Sequence, residues 1–205
     1  MCIRDRDKSM HPKELRDLTI SALVLAFLFA YQGFGALDLL ILNFPIALLA
    51  ISLGFLGHEL AHRYVAMRNG CRAEYKMWPQ GLGLALVLAL LTDGRMVFAA
   101  PGAVVIYPLI DLWGRRVVLR SDQELRIALA GPMANVVIGF CFFALYLLSG
   151  NPILEVVARI NAWLATFNLL PLHPLDGAKI WKNNRHIWII SMAIALLLYL
   201  LLFFL

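Results

Sequence analysis

The clearest chemical signal is the stretch Gly57-His58-Glu59-Leu60-Ala61-His62, an H-E-x-x-H pattern in an apolar segment. Histidines four positions apart share one face of a helix, with about 5–6 Å between Cβ atoms, so both imidazoles can bind one divalent ion. Glu59 can reach a water at that ion and act as a base. The alternative is that these are polar residues on the exposed face of an amphipathic helix. The preceding residues 44–57 contain no charge, so they provide no such polar face. Ionisable groups inside a membrane are costly, which favours a metal site.

The composition predicts an integral membrane protein. The chain is 61% hydrophobic and 15% charged, with a mean hydropathy of +0.77, whereas soluble domains are nearer half apolar and a quarter charged. Its 205 residues suit a single domain of a few membrane helices. The cysteines Cys2, Cys71 and Cys141 form no C-x-x-C pair, so a bound metal must take nitrogen and oxygen ligands.

The apolar runs predict an all-α polytopic membrane protein with about five to six membrane helices. Residues 1–17 form a polar segment, and residues 18–205 are expected to form one domain. Its core helices are predicted at about 45–67, 124–149 and 153–178. The site would then lie near one face of the membrane, since His58 is about 14 Å from the end of its helix by helical rise.

A small membrane-associated β region is predicted over about residues 95–120. Residues 95–107 are rich in β-branched and aromatic side chains and are interrupted by Pro101-Gly102, which indicates a strand pair or bent hairpin. Arg115–Arg120 is typical of another short strand. Open sheet edges are unstable in lipid, so these strands must lie at the interface or against protein. Residues 77–91 span only about 22 Å as a helix and are interpreted as re-entrant or interfacial.

The basic residues predict the orientation in the cell membrane. Every Lys and Arg except Arg159 falls in a segment that this layout places on one side, so the N-terminus and the site are expected at the cytosolic face. Arg159 is expected to pair with Glu155 and extend outward. The net charge of +5 therefore reflects insertion in a lipid bilayer. No nucleic-acid partner is predicted, because the basic segments lack interleaved aromatic residues.

A tetrahedral zinc would need a third protein ligand beside the two histidines. Asp176 qualifies, because its helix is predicted to run toward the same face as the His58 helix. His173 competes with it, and Asp176-Gly177 could instead be a helix C-cap. The other aspartates near this face are expected in solvated interface segments: Asp93, Asp111 and Asp122. Pro171 and Pro174 break the helix and free carbonyls that need polar surroundings.

Three motifs occur together: His58-Glu59-x-x-His62, Gly131-Pro132-x-x-Asn135 and Asn168-x-x-Pro171-x-x-x-x-Asp176-Gly177. In order and spacing the chain resembles the site-2 protease family of intramembrane zinc metalloproteases. It is most similar to compact prokaryotic members without an inserted PDZ domain. The resemblance covers about residues 18–182.

The resemblance implies one zinc ion per chain, held by His58, His62 and Asp176, with Glu59 as general base. It also implies that Asn135 and Asn168 hold the substrate or stabilise charge on the scissile carbonyl oxygen. From the residues alone, each asparagine could equally make an interhelical hydrogen bond, worth about 0.6 kcal/mol in membranes.

The expected function is zinc-dependent endopeptidase cleavage, by zinc-activated water, within the membrane segment of a single-span protein near the cytosolic face. A CAAX-type or heat-shock-type membrane zincin would need a glutamate as third ligand, and the downstream glutamates are badly placed: Glu74, Glu124 and Glu155. A metal-binding membrane scaffold or transporter would need no base at Glu59. The absence of an inverted repeat in the sequence weakens the transporter. The 95–107 region is expected to pair with an unwound substrate.

Overall fold

The computed structural model describes residues 10–98, 100–107 and 119–204. Its helices and strands follow in chain order: α1 (Pro12–Ala30), α2 (Leu37–Ile51), α3 (Gly57–Arg68), β1 (Arg72–Met77), α4 (Pro79–Leu91), β2 (Gly102–Tyr107), α5 (Ser121–Ser149), α6 (Pro152–Asn168), α7 (Asp176–Asn183) and α8 (Arg185–Phe203). The two strands pair antiparallel. The predicted fold class, helical with a small β region, is confirmed.

Helices α2 and α3 are parts of one long helix. A 3₁₀ turn at Phe34–Ala36 precedes α2, and a π-helical turn at Ser52–Leu56 joins α2 to α3. Within the described residues, three helices are long and apolar enough to cross a membrane: Phe34–Arg68, Ser121–Ser149 and Arg185–Phe203. Helix α4 has 13 residues, which span about 20 Å.

Helix α1 begins at Pro12, within residues 1–17, which were predicted as a polar segment before the domain. Its early carboxylates are buried, since Glu14 and Asp17 are each only 4% exposed. Both carboxylate oxygens of Glu14 accept from Arg63 Nη1 of α3 at 3.0 Å. The negative charge of Glu14 is therefore paired inside the protein and is not exposed to solvent.

The sheet agrees with the predicted β region at β2 and differs in the partner strand. Strand β2 lies within the predicted 95–107 segment, but its partner is β1, and residues 95–98 adopt no regular structure. The predicted hairpin within 95–107 is therefore wrong. The predicted strand Arg115–Arg120 lies mostly outside the described residues.

The far edge of β1 is closed by helix α1. The Tyr75 backbone N–H points away from β2 and donates to Glu14 Oε1 at 3.1 Å. Burial raises the pKa of Tyr75, so its hydroxyl stays protonated and donates to Ser21 Oγ at 2.9 Å. Val104 is opposite Tyr75. In an antiparallel pair, two opposite residues either both direct their N–H and C=O groups toward the partner strand or both direct them away from it. The N–H and C=O of Val104 therefore point away from β1.

Helix α5 is the element around which the site is assembled. It packs against α3, α6 and α7, while α6 also contacts α2 and α8. A large apolar cluster fills the space between α1, α2, α6 and the sheet, and smaller clusters lie between α5, α6 and α8. These contacts hold α3 and α7 against the same part of α5.

Candidate metal centre

The two histidines of α3 and an aspartate of α7 converge on one point. The Nε2 atoms of His58 and His62 are 3.0 Å apart. Asp176 Oδ2 lies 2.8 Å from His62 Nε2 and 3.3 Å from His58 Nε2. All three side chains are buried, at 5%, 5% and 8% exposure in chain order. In the described part of the chain they form a group that could hold a metal ion.

Hydrogen bonds on the other ring nitrogens set the histidine tautomers. His62 Nδ1 lies 2.7 Å from the backbone oxygen of Ile127, which can only accept, so Nδ1–H donates to it. His58 Nδ1 lies 2.7 Å from Asn135 Oδ1 and donates in the same way. Each Nε2 therefore presents a lone pair toward Asp176. Two nitrogen lone pairs and a carboxylate oxygen at such short range repel one another unless a cation lies among them. Hydrogen bonds donated by the Nδ1 atoms, which point away from this centre, are also typical of metal-binding histidines.

Glycine 131 of α5 leaves room for an ion. A Cβ atom at this position would lie 2.3 Å from His62 Nε2 and 2.6 Å from His58 Nε2. No side chain can occupy that space without displacing an imidazole. The donor atoms and the space beside them therefore fit a tetrahedral metal such as zinc.

Asp176 stands at the first position of α7, where a carboxylate is favoured by the helix dipole. The alternative that Asp176-Gly177 forms a helix C-cap is therefore wrong. Lys179 Nζ donates to Asp176 Oδ1 at 3.0 Å, which leaves Oδ2 facing the histidines. His173, the competing ligand, is exposed and lies outside the group of three.

Glu59 lies beside the same point with an unused oxygen. The residue is 8% exposed, and its Oε2 has no hydrogen-bond partner among the described residues. Glu59 lines a cavity of about 410 Å³ together with His58, His62 and Asp176. Buried polar atoms nearly always have a partner, so this carboxylate oxygen is placed to accept from a water in the cavity.

The two predicted asparagines have different surroundings. Asn135 is fully buried; its Oδ1 accepts from His58, and its Nδ2 donates to Gly54 O at 2.9 Å and Asn161 Oδ1 at 3.1 Å. Asn135 also lines the cavity, but its amide oxygen and nitrogen are both already hydrogen-bonded, which favours orientation of His58 over contact with substrate. Asn168 lines the cavity and donates from Nδ2 to Leu164 O at 3.0 Å. One of its two amide protons thus remains for another acceptor.

Sequence reasoning missed three contributors to this site. Gly131 belongs to a quoted motif, but only the structure shows that it faces both imidazoles. Lys179 follows Asp176 by three positions, a spacing at which helical side chains meet, and this signal was available. The Ile127 carbonyl has no signal in the sequence, because any residue supplies one.

A buried His, His, Asp donor set beside a glutamate, in a chain with three long apolar helices among its described residues, defines a membrane metalloprotease site. Comparison with family models agrees, since residues 46–156 match the model described as Peptidase family M50. The chain belongs to peptidase family M50, the site-2 protease family, and is a zinc metalloprotease.

Relatives support the same assignment. The chain is 41% identical over 183 residues to "Putative zinc metalloprotease MJ0611" of Methanocaldococcus jannaschii, covering 87% of this chain and 88% of that protein. It is 30% identical over 161 residues to "Putative zinc metalloprotease YwhC" of Bacillus subtilis, covering 68% of each. "Zinc metalloprotease MJ0392" of M. jannaschii is 28% identical over 131 residues, which cover 61% of this chain and 30% of that protein. No solved structure matches the chain.

Proposed function

We propose that this protein is an intramembrane endopeptidase that cleaves the transmembrane segment of a single-span membrane protein near the cytosolic face. The observation that carries the proposal is the buried, unpartnered Oε2 of Glu59 in the cavity beside His58, His62 and Asp176. A protein that only bound or carried the metal would not need this carboxylate.

In this proposal the metal is held by His58, His62 and Asp176. Bound zinc supplies a Lewis acid that lowers the pKa of water toward about 7. Glu59 accepts the proton of the attacking water and then donates it to the leaving amine. The remaining amide proton of Asn168 is placed to stabilise negative charge on the scissile carbonyl oxygen.

The proposed orientation rests on the basic residues. One group of basic residues lies at and after the C-terminal end of α3: Arg68, Arg72 and Lys76. A second group lies in α7 and at the start of α8: Lys179, Lys182 and Arg185. Because basic residues collect on the cytosolic side, this distribution supports a cytosolic N-terminus and a site near that face.

The free edge of β2 is the proposed binding place for the unwound substrate. Residues 102–106 line the cavity. The edge of β1 is covered by Glu14, and the described residues contain no third strand, so β2 offers the open edge. An extended segment would pair with the outward backbone groups of Val104, as in other cases of strand addition.

The decisive experiment compares wild type with Glu59→Gln, purified in detergent with a generic single-span substrate, and quantifies zinc in both. Loss of the general base should lower cleavage by about 10²–10⁴-fold while zinc content stays unchanged. The control is Glu155→Gln, which removes a carboxylate of α6 that pairs with Arg159 away from the cavity. This control should cleave as wild type.

Two outcomes would contradict the proposal. Cleavage that survives Glu59→Gln would show that the base is wrongly assigned. Zinc bound in wild type without cleavage of any single-span substrate in a panel would favour a metal-binding scaffold or transporter.

Substrate pairing is tested by proline at adjacent positions of β2. Val104→Pro removes an outward N–H and should reduce cleavage strongly, with zinc content and thermal stability nearly unchanged, because proline is tolerated at a free edge. Val105→Pro removes an N–H that faces Glu74 of β1, so it should also destabilise the sheet. Full cleavage by Val104→Pro would exclude strand addition at this edge.

A further inference from the structure

Behind the metal centre lies a chain of buried amides that the H-E-x-x-H chemistry does not itself require. Asn161 stands in the middle of α6 between apolar neighbours and is 0% exposed, as is Asn135. Asn161 Oδ1 accepts from Asn135 Nδ2 at 3.1 Å, and Asn161 Nδ2 donates to Val157 O at 2.8 Å. A fully buried asparagine in an apolar helix is costly unless every polar atom is used, and here the amide connects α6 to the site.

Two backbone carbonyls determine the direction of every hydrogen bond in this chain. Val157 O can only accept, so Asn161 must present Nδ2 to it and Oδ1 to Asn135. Gly54 O can also only accept, so Asn135 must present Nδ2 to Gly54 and Asn161. Asn135 Oδ1 is thereby left facing His58 Nδ1, which must donate. The hydrogen bonds of Asn161 and Asn135 thus place the His58 proton on Nδ1, although Asn161 is connected to the imidazole only through Asn135.

Loss of Asn161 would remove one of the two acceptors that oppose rotation of the Asn135 amide. A rotated amide would donate to His58 Nδ1, and the imidazole proton would move to Nε2. That nitrogen faces His62 and Asp176, so the proton would occupy the position that a metal ion needs. The amide orientation is therefore coupled to metal affinity.

The π-helical turn brings the second acceptor into reach. Gly54 lies within this turn, and a Cβ atom there would be 2.9 Å from Asn161 Oδ1. Glycine thus lets α6 approach closely enough for Asn161 and the Gly54 carbonyl to bind the same amide group. Insertions of this kind in helices are frequent at functional sites.

We propose that Asn161, with Gly54, is a positioning residue of the metal centre, which holds the Asn135 amide so that His58 presents an unprotonated Nε2 to zinc. The inference deepens the proposed function of the same site and rests on it for the catalytic consequence. Asn161 makes no hydrogen bond to any of the three proposed metal ligands, so its effect passes through Asn135.

The test measures zinc affinity by chelator competition and the His58 tautomer by nitrogen-15 NMR of the zinc-depleted full-length protein. Asn161→Ala should weaken zinc binding by about 10- to 100-fold, the usual cost of losing an outer hydrogen-bond partner. His58 should shift toward the tautomer protonated on Nε2. Asn161→Asp keeps the Oδ1 acceptor and should retain more of the affinity than Asn161→Ala.

Ile160→Ala is the matched control, since it opens a cavity beside Asn161 on the buried part of α6 and leaves every hydrogen bond of the amide chain in place. It should change zinc affinity by no more than about twofold. Should Asn161→Ala fail to fold, Gly54→Ala carries the test, with the same loss of affinity expected. Wild-type affinity and an unchanged His58 tautomer in the folded variant would overturn the proposal. Zinc affinity and the His58 tautomer are measured without any cleavage reaction. Failure of the protease assignment would therefore be seen separately, in the cleavage assay of wild type and Glu59→Gln.

Discussion

Gly131 occupies the place where one methyl group would fill the space between two imidazoles. The distances to His58 and His62 that a Cβ would make, 2.6 and 2.3 Å, are far below van der Waals contact. The space for the ion thus depends on the absence of a side chain on α5 as well as on donor atoms from α3 and α7.

We predict that Gly131→Ala abolishes stoichiometric zinc binding while the protein still folds. The methyl group would displace an Nε2 atom and break the three-ligand geometry. Metal analysis of the purified protein measures the effect, and circular dichroism verifies the helical fold. Gly139→Ala is the control on the same helix, since its Cβ would press on Leu198 away from the site. Full zinc content in Gly131→Ala would show that the ion lies elsewhere.

The sequence predicted much of the geometry at the residue scale. The four-residue spacing predicted that His58 and His62 share a face, and the predicted direction of its helix made Asp176 a candidate ligand beside His173. The structure separates these two, because α7 begins at Asp176 and leaves His173 exposed. The surroundings of Asn135 were not predictable, since its hydrogen bonds depend on carbonyls and amides from two other helices.

At the scale of elements, a buried ion pair joins three segments. Glu14 of α1 binds Arg63 of α3 through both oxygens and also accepts the Tyr75 N–H of β1. Arg63 directly follows the ligand candidate His62. The Glu14 carboxylate of α1 therefore links the sheet to the helix that carries His58 and His62.

We predict that Glu14→Gln destabilises the protein by about 3 kcal/mol, the usual scale for removing one partner of a buried ion pair. Thermal unfolding in detergent measures the change. Glu155→Gln makes the same chemical change at the partly exposed pair with Arg159 and should cost less than about 1 kcal/mol. Equal stability of the two variants would show that the buried pair contributes little.

Strand β1 was missed although its sequence carries a signal. Arg72-Ala73-Glu74-Tyr75-Lys76-Met77 alternates polar and apolar residues, and Ala73 and Tyr75 are buried. The basic residues of this segment were interpreted only as markers of the cytosolic face. By contrast, β2 was found in the predicted region because its β-branched residues stand out, while its partner depends on contacts distant in sequence.

For the molecule as a whole, a metal held by His58, His62 and Asp176 would be a crosslink between distant parts of the chain. His62 and Asp176 are separated by 114 positions, yet their ligand atoms lie 2.8 Å apart. A zinc ion bound there connects the long helix containing α3 to the short helix α7. Binding to the folded state alone stabilises it by mass action.

We predict that chelation of zinc lowers the unfolding temperature and that added zinc restores it. At a free zinc concentration of about 1,000 times Kd, the stabilisation would be about 4.1 kcal/mol. Asp176→Asn should show a smaller response to the chelator, since it weakens one ligand. An unfolding temperature that does not respond to chelation in wild type would show that the ion does not join these helices.

The π-helical turn at Ser52–Leu56 also has a consequence for chain length. A π turn holds about one residue more than an α turn, and each residue of an α helix advances the helix by about 100°. Deleting one residue within this turn would leave H-E-x-x-H intact. It would rotate the face that α2 presents to α6 by about 100° relative to the histidines. The number of residues in this helix is therefore as much a requirement of the site as the spacing within its motif.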